Sequence, residues 1–211
     1  MTARRPIENL NAHGANRLES EGSMSTAIRF TVDQYDQMRD AGVLKTPGAE
    51  RRLELILGEI REGSPIGPLH EEIVVRITNW TYASTSRTLV CVRVQNSIGI
   101  PQEDSTPQPD VVWAEERDYS AGRPLSSEVM LLIEVADSSL DFDLEVKGPL
   151  YAAGGVPEYW VVDVSGRVVH VFREPGTDGY GSHRIAQTSE TIAPTACPAA
   201  ALDLAWLFRA L

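Results

Sequence analysis

Glu134 lies where a charge is least expected. Leu131, Leu132 and Ile133 precede it and Val135 follows, inside an apolar run from Val129 to Val135. A carboxylate in such a strand is costly unless a metal, a cation or an escape to a cleft compensates it. Asp110 repeats the pattern, following Pro107-Gln108-Pro109 and preceding Val111-Val112-Trp113. Two acids at the ends of neighbouring strands suit Mg²⁺ or Mn²⁺, hard ions that take oxygen from one or two carboxylates, from waters and from substrate phosphates. Lys147, the sole lysine after Lys45, could orient or deprotonate an attacking water, or neutralise charge developing at phosphorus. Asp143 lies four residues before it, the spacing that pairs side chains on one helical face.

Each residue also has an ordinary reading. Strand-terminal acids commonly pair with arginine, a lone lysine commonly sits in solvent, and Glu54 could face water from an edge strand. The run Asp137, Asp141, Asp143 and Glu145 reads as a solvated helical face. His13, His70, His170 and His183 have no ligand spacing, which argues against zinc catalysis. No Gly-x-Ser-x-Gly elbow, Walker-type loop or Gly-x-Gly-x-x-Gly is present, so hydrolase triads, nucleotide switches and Rossmann cofactors find no support.

The elements that must position these residues alternate between helix and strand. Thr31 and Gln34 form a capping box that opens a helix, which Gly42 and Pro47 end. Leu53 to Ile60 alternates as one strand, and Gly63-Ser64-Pro65 and Gly67-Pro68 punctuate a loop. His70 to Ala83 places Ile73, Ile77 and Trp80 on one helical face. Leu89 to Gln95 and Asn96 to Pro101 read as a strand pair, and Asp110 to Ala114 as a short strand. Val129 to Val135 is the central strand, buried on both faces. An acidic helix follows, broken or restarted by Pro149 and ended by Gly154-Gly155. Glu158 to Asp163 and Arg167 to Arg173 form a hairpin around Ser165-Gly166, and Ala199 to Leu211 reads as a closing helix. The fold class is α/β, with a central mixed sheet flanked by helices.

With 211 residues and 42% hydrophobic composition, the chain supports one core: residues 24–211 as the domain, 1–23 as a disordered extension or tag with Met24 as the natural start. No apolar run spans a bilayer, no secretory signal is visible, and Cys91 and Cys197 imply no disulfide framework. The expected location is therefore the cytoplasm, without membrane attachment. The net charge of −11 argues against tight non-specific binding to nucleic acid, because phosphate neutralisation supplies most of that affinity. Carboxylates gathered on a divalent cation would offset part of the deficit.

In order, several segments resemble a known family. Leu53 to Ile60, Ser64 to His70, Val94-Gln95-Asn96, Gln108 to Val112, Ile133 to Ser139, then Asp143, Lys147, Tyr151 and Gly155 to Asp163 are similar to the motifs of the Uma-type endonucleases. That family is a bacterial branch of the PD-(D/E)xK, restriction-endonuclease-like superfamily. The resemblance runs from about Phe30 to the C-terminus. It implies Asp110 and Glu134 as metal-binding acids, Glu54 as an additional acid and metal ligand, and Lys147 as the catalytic lysine. Gln95 would lie near the site. The superfamily's lysine ordinarily follows the second acid by two residues, where Ala136 stands here, so in this branch it comes from the next helix. Tyr151 and Trp160 are expected in packing. Leu57 stands where the family usually has Asp, and Gly63 where a bulky apolar residue is common.

The resulting expectation is Mg²⁺- or Mn²⁺-dependent hydrolysis of DNA phosphodiester bonds by Glu54, Asp110, Glu134 and Lys147. One rival is a non-catalytic nucleic-acid-binding or regulatory module, distinguished by whether Arg76, Arg87, Arg93 and Arg117 gather beside Glu134. Another is a homodimerisation domain that uses the Arg167–Arg173 strand or the C-terminal helix as its interface.

Overall fold

The computed structural model describes residues 27–45, 52–63 and 66–210. The 1–23 extension, the Met24 start, the Pro47 stop, Ser64-Pro65 and Leu211 lie outside the described residues. Helix α1 (Val32–Asp40) opens on the expected capping box: Thr31 Oγ1 accepts from the Gln34 N–H and Gln34 Oε1 from the Thr31 N–H. Gly42 follows its end at φ 73°.

The expected strand from Leu53 to Ile60 is instead a hairpin, β1 (Leu53–Ile56) and β2 (Glu59–Glu62). Leu57 and Gly58 turn it with φ of 51° and 79°. Paired positive φ values match the right-handed twist of flanking strands, and only glycine adopts them freely. A Cβ on Gly58 would stand 2.8 Å from the Arg29 Cβ, a second reason for glycine there.

Helix α2 (Pro68–Ser84) buries Ile73, Ile77 and Trp80 as the spacing predicts. The main sheet has strand order β3-β4-β5-β6-β7-β8: β3 (Val90–Val94), β4 (Val111–Glu115), β5 (Val129–Ala136), β6 (Glu158–Asp163), β7 (Val168–Gly176) and β8 (Gly179–Gln187). Only β5 and β6 run parallel, so the sheet is mixed, as expected. The crossover between them carries α3 (Leu140–Phe142), one π-helical turn (Asp143–Lys147) and α4 (Gly148–Ala153). Pro149 falls in the first turn of α4, directly after the π-helical turn.

Two other expectations are corrected, and one strand is added. Residues 96–101 do not pair with β3; β4 does, and 96–110 form an irregular segment with isolated bridges and a 3₁₀ turn. Strand β8 replaces what the sequence left unassigned, since its glycines and polar residues hide its pairing with β7. The C-terminal helix shrinks to α5 (Leu204–Leu207) after a short ladder of β9 (Thr191–Ile192) with β10 (Leu202–Asp203).

Apolar residues fill both sheet faces. One core joins α2 and α5 to Val111, Trp113, Leu131, Ile133 and Trp160; Trp80 stacks on Trp113 and Trp160 at centroid distances of 5.3 and 5.9 Å. The other joins α4 and the 96–110 segment to Val112, Leu132, Tyr159 and Val161. Leu204, Leu207 and Phe208 are fully buried, and β7 lies inside the sheet. Among the described residues no helix is long and apolar enough to cross a membrane.

Candidate active site

Four segments far apart in sequence deliver the site. Strand β5 carries Glu134 on the sheet face covered by α4. Asp110 sits at the mouth of β4, where its C=O accepts from the Gln95 N–H at 3.0 Å. The hairpin lies outside the main sheet and is held against the 96–110 segment. Thr106 N–H donates to Leu55 O (2.7 Å), Gly58 N–H to Asp104 O (2.9 Å) and Leu57 N–H to Ser105 Oγ (2.7 Å). This docking presents Glu54. The crossover presents Lys147 and Asp143 from its π-helical turn, a local widening common at functional sites.

Lys147 is the hub. Its Nζ lies 2.9 Å from Glu134 Oε1, 3.4 Å from Glu54 Oε1 and 3.8 Å from Asp143 Oδ1. All four residues are buried. Burial alone would push the ammonium's pKa down, but the charges of Glu134, Glu54 and Asp143 outweigh it and hold it above the ordinary lysine range. For Glu134 the balance goes the other way. Burial drives its carboxyl up, Lys147 pulls it down, and Asp143, Asp110 and Glu54 push it up again, to about 8. The i,i+4 pair of Asp143 and Lys147 is therefore present, but Asp143 is no solvated helical acid. It accepts from Ser139 Oγ at 2.5 Å, and burial raises its pKa against the pull of Lys147.

Two residues that sequence reasoning set aside belong here. Tyr151 was expected in packing alone, yet its hydroxyl donates to Glu134 Oε1 at 2.8 Å. His70 Nε2 lies 3.0 Å from Asp110 Oδ2, which also accepts from the Val135 N–H at 2.9 Å. A carboxylate only accepts, so His70 Nε2 is the donor; its Nδ1 is buried without a partner. Burial raises the Asp110 carboxyl's pKa, but His70, the Val135 amide and Arg52 outweigh it and bring it below the usual value. Gln95 Nε2 donates to Asp110 Oδ1 at 3.3 Å, from a backbone with φ 53°. Trp160 packs as expected, its Nε1 donating to Glu158. No signal in the sequence marks Tyr151 or His70 apart from their places in the ordered motifs.

The hydrogen bonds of the three acids share one feature. Those of Glu134 fall on Oε1, as do those of Glu54, which accepts from Gln108 N–H at 2.5 Å. On Asp110 the short bonds fall on Oδ2. Each carboxylate is thus tied down by one oxygen and keeps the other more available. Among the described residues, no three His, Cys, Asp or Glu side chains already form a metal cage. The donor chemistry nevertheless fits a hard divalent ion, which needs only one or two carboxylates beside waters and phosphate. A cavity of about 440 Å³ lies over these groups, lined also by Arg52, Arg61, Ser138 and Phe142.

The four arginines proposed from sequence as a possible basic face do not line that cavity. Arg76 donates to Glu72 and to the Leu207 and Arg209 carbonyls, Arg87 lies over Tyr82, and Arg93 and Arg117 lie over Tyr119.

Residues 32–205 match the Uma2 family model, described as "Putative restriction endonuclease". The chain belongs to this family. Among solved structures it is similar to a "putative nuclease belonging to DUF820" from Anabaena variabilis, at 16% identity and a TM-score of 0.65. That similarity covers 85% of this chain and 97% of the other, and shows a shared fold. Among curated proteins no sequence match was found.

Proposed function

We propose that this protein is a Mg²⁺- or Mn²⁺-dependent endonuclease that hydrolyses DNA phosphodiester bonds. The observation that carries the reading is the meeting of Glu54, Asp110, Glu134 and Lys147, from four separate elements, under one cavity. Asp110 and Glu134 would hold the ion, with Glu54 direct or through water. When bound, the ion supplies positive charge that stabilises the phosphorane and makes a water nucleophilic near neutral pH.

The chain's own groups divide the remaining work. Lys147 stays protonated, so it acts as a cation and donor rather than as the base: it orients the water and offsets charge on the phosphoryl oxygens. Tyr151 holds Glu134 Oε1 and leaves the opposite oxygen for the ion. His70 and the Val135 amide do the same for Asp110. Such supporting hydrogen bonds typically matter 10–100-fold in metal affinity. In the hydrolysis the water oxygen bonds to phosphorus as the P–O bond to the bridging ester oxygen breaks; one water proton is lost to solvent, and the departing oxygen takes a proton from solvent.

Calorimetric titration of Mg²⁺ and Mn²⁺ into wild type and Glu134→Ala tests the reading. A Mn²⁺-supported cleavage assay on single- and double-stranded DNA runs beside it. Binding and cleavage that both vanish in the variant are expected. Absence of metal binding in wild type would sink the proposal.

The net charge of −11, with Arg76, Arg87, Arg93 and Arg117 away from the cavity, favours a second reading: a non-catalytic regulatory module that keeps the nuclease fold. Metal binding without cleavage of any DNA would select it.

A further inference from the structure

We infer that Arg52 and Arg61, the two arginines of the β1–β2 hairpin, form a clamp for the phosphates of the nucleic-acid substrate; this rests on the function proposed above. Hairpin geometry puts both beside Glu54. Arg61 is its directly opposed cross-strand partner, and Arg52 precedes it by two residues on the same face. Cross-strand diagonal neighbours stand roughly 7–8 Å apart at their backbones, so the two guanidinium forks can reach different phosphates. Both line the cavity with Glu54, Asp110 and Glu134.

Neither guanidinium is fully engaged. Arg52 donates from one NH2 to the Gln108 carbonyl at 3.0 Å and approaches Asp110 Oδ1 only to 4.0 Å. Its Nε is buried without a hydrogen-bond partner. A donor left so beside the proposed reacting centre is costly until an acceptor arrives. Arg61 lies 5.3 Å above the Phe142 ring, which fixes its plane at the cavity rim. Its ion pair with Glu59 at 2.7 Å is exposed, worth little, and easily exchanged for a phosphate. Planar guanidinium forks match phosphate oxygens in pairs, which a lysine cannot do.

Lys147, the other cation of the cavity, has its charge balanced by three carboxylates, so it adds no net positive charge to the binding of DNA. Two arginines then carry the ionic part of DNA binding on an otherwise acidic molecule. The consequence is a shallow salt dependence: two neutralised phosphates give a slope of log affinity against log salt of about −2 for duplex DNA.

The test is fluorescence anisotropy of a short labelled DNA duplex, in constant Ca²⁺ and increasing KCl, with wild type, Arg61→Ala, Arg61→Lys and Arg52→Ala. Wild type is expected to show the slope of about −2. Arg61→Ala should fall to about −1 and lose roughly tenfold in affinity near 0.1 M salt. Arg61→Lys should keep the wild-type slope, because the charge remains. Arg52→Ala should behave like Arg61→Ala; should the loss of its Gln108 contact unfold it in a thermal melt, the exposed Arg61 decides alone. Wild-type binding whose slope is the same in the alanine variants overturns the clamp and leaves the nuclease reading standing. No wild-type binding to the duplex overturns both.

Discussion

Tyr151 donates its buried hydroxyl to a carboxylate that already contacts a lysine, and both donors act on the same oxygen. Removing one leaves Glu134 with less support for its charge. Tyr151→Phe should therefore weaken Mn²⁺ binding by about 10–100-fold while the fold persists, read by calorimetry and circular dichroism. Glu134 itself makes a prediction in pH. Its folded pKa of about 8 lies above the ordinary 4.5, so its contribution to stability is full below about pH 4.5 and is lost as pH rises through 8. In EDTA, urea unfolding of wild type should show stability declining across that window, and Glu134→Gln should flatten the decline. An unchanged pH profile in the variant would mean that Glu134 is not the titrating group.

Elements explain why those side chains meet. The hairpin is not a strand of the main sheet, and its position depends on backbone bonds to residues 104–106 and on a turn with two positive φ values. Leu57 in that turn is an awkward choice, since a left-handed conformation costs an L-residue roughly 1–2 kcal/mol and Asn or Asp relieves part of it. That is also a physical reason for the Asp usual in the family at this position. Leu57→Asn should stabilise the protein by about 1 kcal/mol, a Tm rise of roughly 2–4 °C, without altering metal binding. A lower Tm would mean that the half-exposed leucine packs better than its backbone suffers. The π-helical turn has a matching role: it directs Asp143 and Lys147 into the site from a crossover that would otherwise place Lys147 by a regular helical period.

At the scale of the whole molecule, the site concentrates carboxylates in a protein that is already acidic. Glu54, Asp110, Glu134 and Asp143 are gathered near a single lysine; burial raises the Glu134 pKa first, and repulsion from Asp143, Asp110 and Glu54 adds to it against the pull of Lys147. A divalent ion bound only by the folded state should relieve this repulsion. Its stabilisation grows as RT ln(1 + [L]/Kd), about 2.7 kcal/mol at a hundredfold excess over Kd. Differential scanning calorimetry should then show the wild-type Tm climbing with Mn²⁺ concentration and that of Glu134→Ala staying level. Equal climbs in both would place the ion elsewhere.

The sequence alone determined the class of fold, because buried strands such as Val129–Val135 and amphipathic helices such as Pro68–Ser84 announce themselves through period and composition. It also singled out Glu54, Asp110, Glu134 and Lys147, since acids embedded in apolar strands demand compensation and the ordered motifs are similar to a known family. Only tertiary structure decided the rest. Alternation from Leu53 to Ile60 reads as one strand until the positive φ at Leu57-Gly58 folds it back, and β8 is a strand because β7 offers it a ladder. Tyr151, His70 and Lys147 join the site through partners 17, 40 and 93 positions away, in the contacts Tyr151–Glu134, His70–Asp110 and Lys147–Glu54. Local pattern reports how a segment buries its own side chains. Which groups then face one another depends on packing between distant segments, and that information exists only once the chain has folded.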